Sequence, residues 1–207
     1  VRANDALRRH PVSLGIVGAD GSTHLIEASR SIGEQFEIWN SVDPVEGALS
    51  SLSITHAHLG HVDGLGLFGK EAMGAHHLTL HCSESFAALI ENSPPWHDLC
   101  EQEVIIPKVW TSNEAFEPSS GCGFRIKPIQ VPHRDELSDN HALLIEGSGA
   151  NLLFLPDHDS WPETLQGRNI RQWLSELEVD IALLDGTFWD ADELPHRDMS
   201  EFPHPTV

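Results

Sequence analysis

Apolar residues occupy alternate positions over residues 12–17, where Val12, Leu14 and Ile16 share one side, and Asp20-Gly21 then marks a turn before a second apolar stretch at 24–28. Alternation on both sides of such a turn predicts an antiparallel hairpin. A short helix is expected over 31–39 and a strand over 49–54. Residues 62–73 read as helical in spite of Gly64, Gly66 and Gly69, and 77–81 as a short strand. Ser83 is placed to cap a helix whose Phe86, Leu89 and Ile90 share a face. Strands are expected at 104–106 and 124–131. The second alternates Phe124, Ile126, Ile129 and Val131, and its Pro128 points to a sheet edge or a bulge. Residues 141–146 and 151–155 form a hairpin across Gly147-Ser148-Gly149. Ser160-x-x-Glu163 resembles a capping box, and Ile170, Trp173, Leu174 and Leu177 follow helical spacing. A buried strand over 180–185 and a polar, proline-rich tail over 191–207 complete the chain. Many strands with a few helices between them predict packed sheets covered by helices.

The length, 207 residues, suits one domain spanning 1–207. A hydrophobic share of 40% and a mean hydropathy of -0.23 suit a globular chain, and no apolar run reaches the ~20 residues needed to cross a bilayer, so no membrane association is expected. Twelve Lys and Arg stand against 32 Asp and Glu, a net charge of -20. Nucleic-acid phosphate is repelled by such a surface on average, which argues against general nucleic-acid binding. Cys82, Cys100 and Cys122 are odd in number and far apart, so a disulfide framework is not expected and a cytoplasmic location is. Of the 14 histidines, His10, His24, His76, His77, His97 and His196 read as surface or packing residues. The tryptophans Trp96, Trp110, Trp161, Trp173 and Trp189 read as packing residues too.

The chemistry concentrates in Ile54-Thr55-His56-Ala57-His58-Leu59-Gly60-His61-Val62-Asp63-Gly64. Three histidines lie within six residues directly after an apolar segment. Neutral imidazole is the commonest protein ligand for zinc and related metals, and a turn leaving a strand lets such side chains converge. Val131-Pro132-His133 and Leu155-Pro156-Asp157 each place a further ligand type just past a strand. Histidines and a carboxylate gathered at strand ends would hold one or two metal ions with a position open to water.

A strand followed by HxHxxH, then a lone His, then a lone Asp resembles the metallo-β-lactamase superfamily. The resemblance implies an α+β fold, an αββα four-layer sandwich with its metals at one edge of the sheets. It also implies roles: His56, His58 and His133 on a first metal, His61 on a second, and Asp157 bridging them. The superfamily motif usually reads HxHxDH, and Gly60 stands in the Asp position here. That weakens the second metal position, for which Asp63 is a poor substitute.

Three further stretches resemble the pyrroloquinoline quinone biosynthesis protein B branch. They are Ser13-Leu14-Gly15-Ile16-Val17 with Glu27-Ala28-Ser29, Asp185-Gly186-Thr187-Phe188-Trp189, and Met199-Ser200-Glu201-Phe202-Pro203-His204-Pro205. The last is also similar to the phosphodiesterase branch that includes tRNA 3′-processing enzymes. There an acidic residue and a histidine assist proton transfer, which would fall on Asp185 and His204. The resemblance further implies a chain incomplete at both ends, lacking a glycine-rich first strand and a last histidine ligand.

Three functions remain open at this point. One is a metal-dependent hydrolase acting on a small-molecule ester, amide or phosphodiester, with zinc as its ion. Another is an iron-dependent oxidative enzyme, manganese being a further alternative ion. The third is a non-catalytic, degenerate metal-binding module. A homodimer is compatible with each.

Overall fold

The computed structural model describes residues 9–44, 47–190, 192–193, 196 and 204–205. Most of the expected tail, including Met199–Pro203, lies outside them. Nine strands in the described residues form two sheets. The first contains β1 (Leu14–Val17), β2 (Thr23–Ile26), β3 (Ser51–Ser53), β4 (Leu78–Cys82) and β5 (Ile105–Val109), in that order. β1 and β2 are the expected antiparallel hairpin, and β2 to β5 run parallel. The second sheet orders β6 (Phe124–Val131), β7 (Asn140–Gly147), β8 (Asn151–Leu155) and β9 (Ile181–Leu184). Its first two pairings are antiparallel and its last is parallel.

Three apolar layers show how the sheets stack. The helices α1 (Ile32–Val42), α2 (Leu59–Val62), α3 (Glu84–Asn92) and α4 (Pro94–Glu101) cover the outer face of the first sheet. There Ile32, Phe86, Ile90 and Leu99 pack on Leu25, Leu52 and Leu80. Between the sheets, Ile26 meets Phe124, Ile126, Leu143 and Phe154. The outer face of the second sheet presents Val131, Leu144, Leu153 and Leu155 to α5 (Trp161–Leu165) and α6 (Ile170–Glu176), where Trp173 and Leu174 lie. The order helix, sheet, sheet, helix is the expected αββα sandwich.

The period-two pattern explains an unusual polar layer. Leu25, Leu52 and Leu80 face the helices, so their neighbours His24, Ser51, Ser53 and His81 point between the sheets and are buried. His24, Ser51 and His81 find partners there. His24 Nδ1 lies 2.8 Å from Ser51 Oγ, and His81 Nε2 lies 3.2 Å from the Pro118 carbonyl.

Four expectations need correction. The helix over 62–73 breaks up into α2, a 3-10 turn at Leu65–Phe68 and irregular chain. Gly64 is the cause: its N–H donates to the Ala28 carbonyl at 2.8 Å, and a Cβ there would lie 2.1 Å from the Ser29 carbonyl oxygen, so this segment is pinned to the end of β2. The 124–131 strand forms, but its two apolar pairs face opposite ways. Phe124 and Ile126 enter the layer between the sheets, while Ile129 and Val131 lie under the outer helices. Pro128 marks an edge and not a bulge, since pairing with β7 is continuous. The strand expected to be buried, β9, is an exposed edge with Ile181 50% and Leu183 42% exposed. Trp189, read as a packing residue, is 70% exposed.

Ser83 caps α3, accepting from the Phe86 N–H. Ser160 accepts from the Glu163 N–H, and a full reciprocal capping box is made by Asn169 and Gln172 at α6.

Candidate metal centre

The chain leaves β3 through Ile54 and Thr55 and enters α2 with His58 as its cap residue. The turn is held by backbone bonds. The Thr55 N–H donates to the Glu27 carboxylate at 3.3 Å, and the Thr55 carbonyl accepts from the His141 N–H at 3.3 Å. The Ala28 N–H donates to the His61 carbonyl at 2.8 Å. His133 follows β6, Asp157 follows β8 and Asp185 follows β9. Side chains from both sheets thus meet at one end of the sandwich.

The ring nitrogens converge tightly. His58 Nδ1 lies 3.0 Å from His56 Nε2 and 2.9 Å from His133 Nε2. Asp157 Oδ2 lies 3.5 Å from His56 Nε2, 3.4 Å from His133 Nε2 and 3.3 Å from His61 Nε2. Ligand atoms from His56, His58, His133 and Asp157 all fall within 4.8 Å of one another. Four ligands on tetrahedral zinc, with bonds of about 2.0–2.1 Å, sit about 3.3 Å apart.

Carboxylates behind the rings set the tautomers. His133 Nδ1 is 2.7 Å from Asp159 Oδ1, and His58 Nε2 is 3.0 Å from Glu136 Oε1. A carboxylate only accepts, so each of these nitrogens carries the proton and the neutral ring's other nitrogen is bare. With both rings neutral, the nitrogens left bare would be His58 Nδ1 and His133 Nε2, which face each other at 2.9 Å. Lone pairs so placed repel, and a shared cation removes the conflict. Carboxylates on the far side of ligand histidines are a common support for metal sites. His56 has Thr55 Oγ1 in that place at 3.0 Å. Behind His61 stands the fully buried Glu27, whose Oε2 is 3.5 Å from Nδ1, an ion-pair separation longer than a hydrogen bond.

The electrostatics divide the histidines. Burial pushes His56 down to about 3, with Asp157 opposing. Burial also lowers His58 against the pull of Glu136. Burial works against a charged His61 as well, but Glu27 and Asp157 outweigh it and raise that ring to about 10. Burial likewise opposes the charge of Asp157, yet the close approach of the His133, His56 and His61 rings, the last of them charged, holds its carboxyl well below the usual range.

Asp185 and His204 adjoin this group. His204 Nδ1 is 2.6 Å from Asp185 Oδ2, and the His204 ring centroid is 5.6 Å from that of His133. The bond to Asp185 raises His204 above its ordinary value. Asp185 also accepts from the His158 N–H at 3.0 Å and from the Thr187 N–H and hydroxyl at 2.9 and 2.7 Å. Together with Asp157 these two residues form a second group of donor atoms within 4.8 Å.

All seven residues singled out from sequence therefore lie at one locus: His56, His58, His61, His133, Asp157, Asp185 and His204. Asp63 is elsewhere, paired with Arg30 at 2.6 Å. His158 is buried and bonded to Thr164 at 2.7 Å. Sequence reading missed Glu27, Glu136 and Thr55. Glu27 left one signal, an acidic residue directly after the apolar β2, and the structure gives it a left-handed backbone with φ 70°.

An αββα sandwich gathering histidines and a carboxylate at its strand ends defines a metal-binding class of protein. The beta-lactamase superfamily domain matches residues 23–205, and the chain belongs to that family. Among solved structures, zinc-bound PqqB from Methylobacterium extorquens superposes with a TM-score of 0.72 at 20% identity, covering 94% of this chain and 65% of that one. The resemblance to the quinone-biosynthesis branch read from the sequence thus has a structural counterpart. A diphosphatase from the PhnP family superposes with a TM-score of 0.58 at 20% identity, covering 86% of this chain and 62% of that one. Human tRNase Z, short form, gives 0.59 at 14% identity, covering 96% and 81%. At these identities the likeness is one of fold. The chain spans about two thirds of the length of the PqqB chain. No curated protein matches it. No described helix is long and apolar enough to cross a membrane.

Proposed function

We propose that this protein is a metal-dependent hydrolase of small-molecule substrates, with one ion held by His56, His58, His133 and Asp157. The observation that carries this reading is the convergence of His58 Nδ1 and His133 Nε2 at 2.9 Å while the far nitrogens of the two rings lie against the Glu136 and Asp159 carboxylates. Three imidazoles and a carboxylate suit zinc, and suit iron or manganese as well. When bound, the ion would supply a Lewis acid that lowers the pKa of water toward neutrality and polarises an ester, amide or phosphodiester.

The chain's own residues divide the remaining work. Asp157 accepts a hydrogen bond from the attacking water and orients it. His204 holds a proton on the ring that Asp185 fixes, beside His133, and delivers it to the leaving group. Asp185 is a positioning residue, its oxygens shared among His204, His158 and Thr187. Gly60 offers no ligand, and Asp185 and His204 are already bonded to each other, so one ion per chain is the expected loading. The likeness to a diphosphatase and to tRNase Z supports hydrolysis, and that to zinc-bound PqqB supports zinc.

Elemental analysis of the purified chain tests this, with His56→Ala and His133→Ala as controls. About one zinc per chain, lost in both variants, together with zinc-dependent cleavage of an ester or phosphodiester, is the expected result. Iron in its place, without hydrolysis, would move the reading to oxidative chemistry. A folded chain that takes up no metal would make this a non-catalytic module.

A further inference from the structure

Two serine–histidine pairs lie outside the proposed metal ligands, and the fate of the hydroxyl proton separates them. Ser22 Oγ is 2.8 Å from His24 Nε2 and 2.5 Å from Asp20 Oδ1. A hydroxyl has a single proton to give, and the Asp20 carboxylate, which can only accept, claims it. His24 therefore donates to Ser22 and is no base for it. At Ser112 the hydroxyl lies 2.7 Å from His141 Nε2, with no carboxylate bonded to it among the described residues. The His141 ring is 1% exposed between the sheets, and burial lowers its pKa, with Asp139 opposing, so the ring is uncharged at neutral pH. Its Nδ1 is buried without a hydrogen-bond partner and lies 3.9 Å from Asp139 Oδ2, an ion-pair separation. That carboxylate attracts a proton on Nδ1 and would repel a lone pair there. The proton therefore sits on Nδ1, and Nε2 is bare to accept from the Ser112 hydroxyl. Ser112 is half-buried past the end of β5, in a turn closed by the Glu114 N–H on the Thr111 carbonyl at 3.1 Å. Asn113, left-handed with φ 66°, ties that turn to β6 through its N–H on the Pro128 carbonyl at 2.7 Å. Beside the pair, the Trp110 indole stands edge-on to His141 with ring centroids 5.5 Å apart, and its buried N–H has no partner. A buried donor left unpaired is costly, and a ligand's carbonyl oxygen would relieve it.

We propose that Ser112, His141 and Asp139 form a second reactive site, independent of metal, whose substrate class is an uncharged carboxylic ester. The arrangement is that of a nucleophile, its base and the group that orients the base. Ser112 Oγ bonds to the acyl carbon as its proton passes to His141 Nε2. The bond from that carbon to the alkoxy oxygen breaks, and His141 returns the proton to the departing oxygen, which leaves as the alcohol. Water then attacks the acyl-serine and gives a proton to His141, which passes it to Ser112 Oγ as the carboxylic acid leaves. Asp139 is a positioning residue that acts through His141. The net charge of -20 and the Asp139 carboxylate disfavour an anionic substrate.

The test treats the full chain, as purified, with excess diisopropyl fluorophosphate, an uncharged probe that forms a P–O bond with an activated serine as the P–F bond breaks and fluoride leaves. Peptide mass spectrometry locates the adduct and times its formation. The expected result is an adduct on Ser112 and none on Ser22, abolished by Ser112→Ala and formed about 100-fold more slowly in His141→Gln and in Asp139→Asn. Asp139→Asn changes a half-exposed side chain and decides the matter if His141→Gln fails to fold. Ser85→Ala removes the bond that braces Asp139 and leaves its charge, so labelling should stay near the parent rate. The tautomer gives a separate signature: 15N shifts of the His141 ring should show the proton on Nδ1 in the parent and on Nε2 in Asp139→Asn. An unlabelled Ser112 in the parent would overturn the proposal. So would labelling of Ser22 as fast as that of Ser112, or equal rates in the parent and Asp139→Asn. None of these outcomes depends on which ion the histidine centre holds, so the metal-dependent reading stands or falls separately.

Discussion

Protonating His81 should be among the most destabilising consequences of mild acid. The ring is 1% exposed between the sheets, stacked on Phe116 at 4.6 Å, and donates from Nε2 to the Pro118 carbonyl. Burial drives it from an ordinary 6.5 to about 4, with the Pro118 bond opposing. The folded value is the lower one, so the unfolded chain takes up the proton first as pH falls. The stabilising contribution is therefore complete above about pH 6.5 and is lost between there and about pH 4. At about 1.4 kcal/mol per pH unit the full loss is about 3 kcal/mol, of which about 2 kcal/mol is gone by about pH 5. Set against a typical domain stability of about 5–15 kcal/mol, that is a large share. His81→Gln keeps an N–H for Pro118 and removes the titration. Urea unfolding of chelator-treated protein at about pH 7.5 and about pH 5 should show the parent losing about 2 kcal/mol more than the variant. The other buried histidines titrate equally in both proteins and drop out of the difference. Equal losses would show that His81 is not held neutral by its burial, and the reasoning would fail.

Asp159→Ala removes the acceptor that fixes the His133 tautomer. It should weaken zinc affinity about 10- to 100-fold in competition with a chromogenic chelator, and an unaltered affinity would deny Asp159 that part. Gly60→Asp restores the carboxylate missing from the motif at a position where an added Cβ meets nothing within 4 Å. Elemental analysis should then show zinc rising from about one to about two per chain. A content unchanged by the substitution would mean that more than this side chain separates the chain from a two-ion site.

The ligands were legible because they depend on local events. A strand that ends in a turn throws His56 and His58 toward one point, and the same logic at β6 and β8 yields His133 and Asp157. The residues that fix their tautomers are set by tertiary contact. Glu136 is an exposed loop residue whose approach to His58 depends on how β6 and β7 are joined, and Glu27 comes from the neighbouring strand. The errors have similar origins. Four apolar residues in β9 look the same in sequence whether the strand is central or at an edge, and sheet order decides which. In the 62–73 stretch helical spacing was real, but the approach of Gly64 to the Ser29 carbonyl was not visible without β2 beside it.

The ligands are divided between the two sheets. His56 and His58 ride on the segment after β3, while His133 and Asp157 hang from β6 and β8. An ion gripping all four would therefore act as a clasp, joining across one seam two halves that are far apart along the chain. Because the unfolded chain has no such convergence, occupancy by a ligand at a hundred times its dissociation constant would add about 2.7 kcal/mol to the folded state. Scarcity of the ion would then be felt twice, as lost chemistry and as a seam that opens more readily, and supply of a trace nutrient would regulate how long the molecule survives as well as how fast it works.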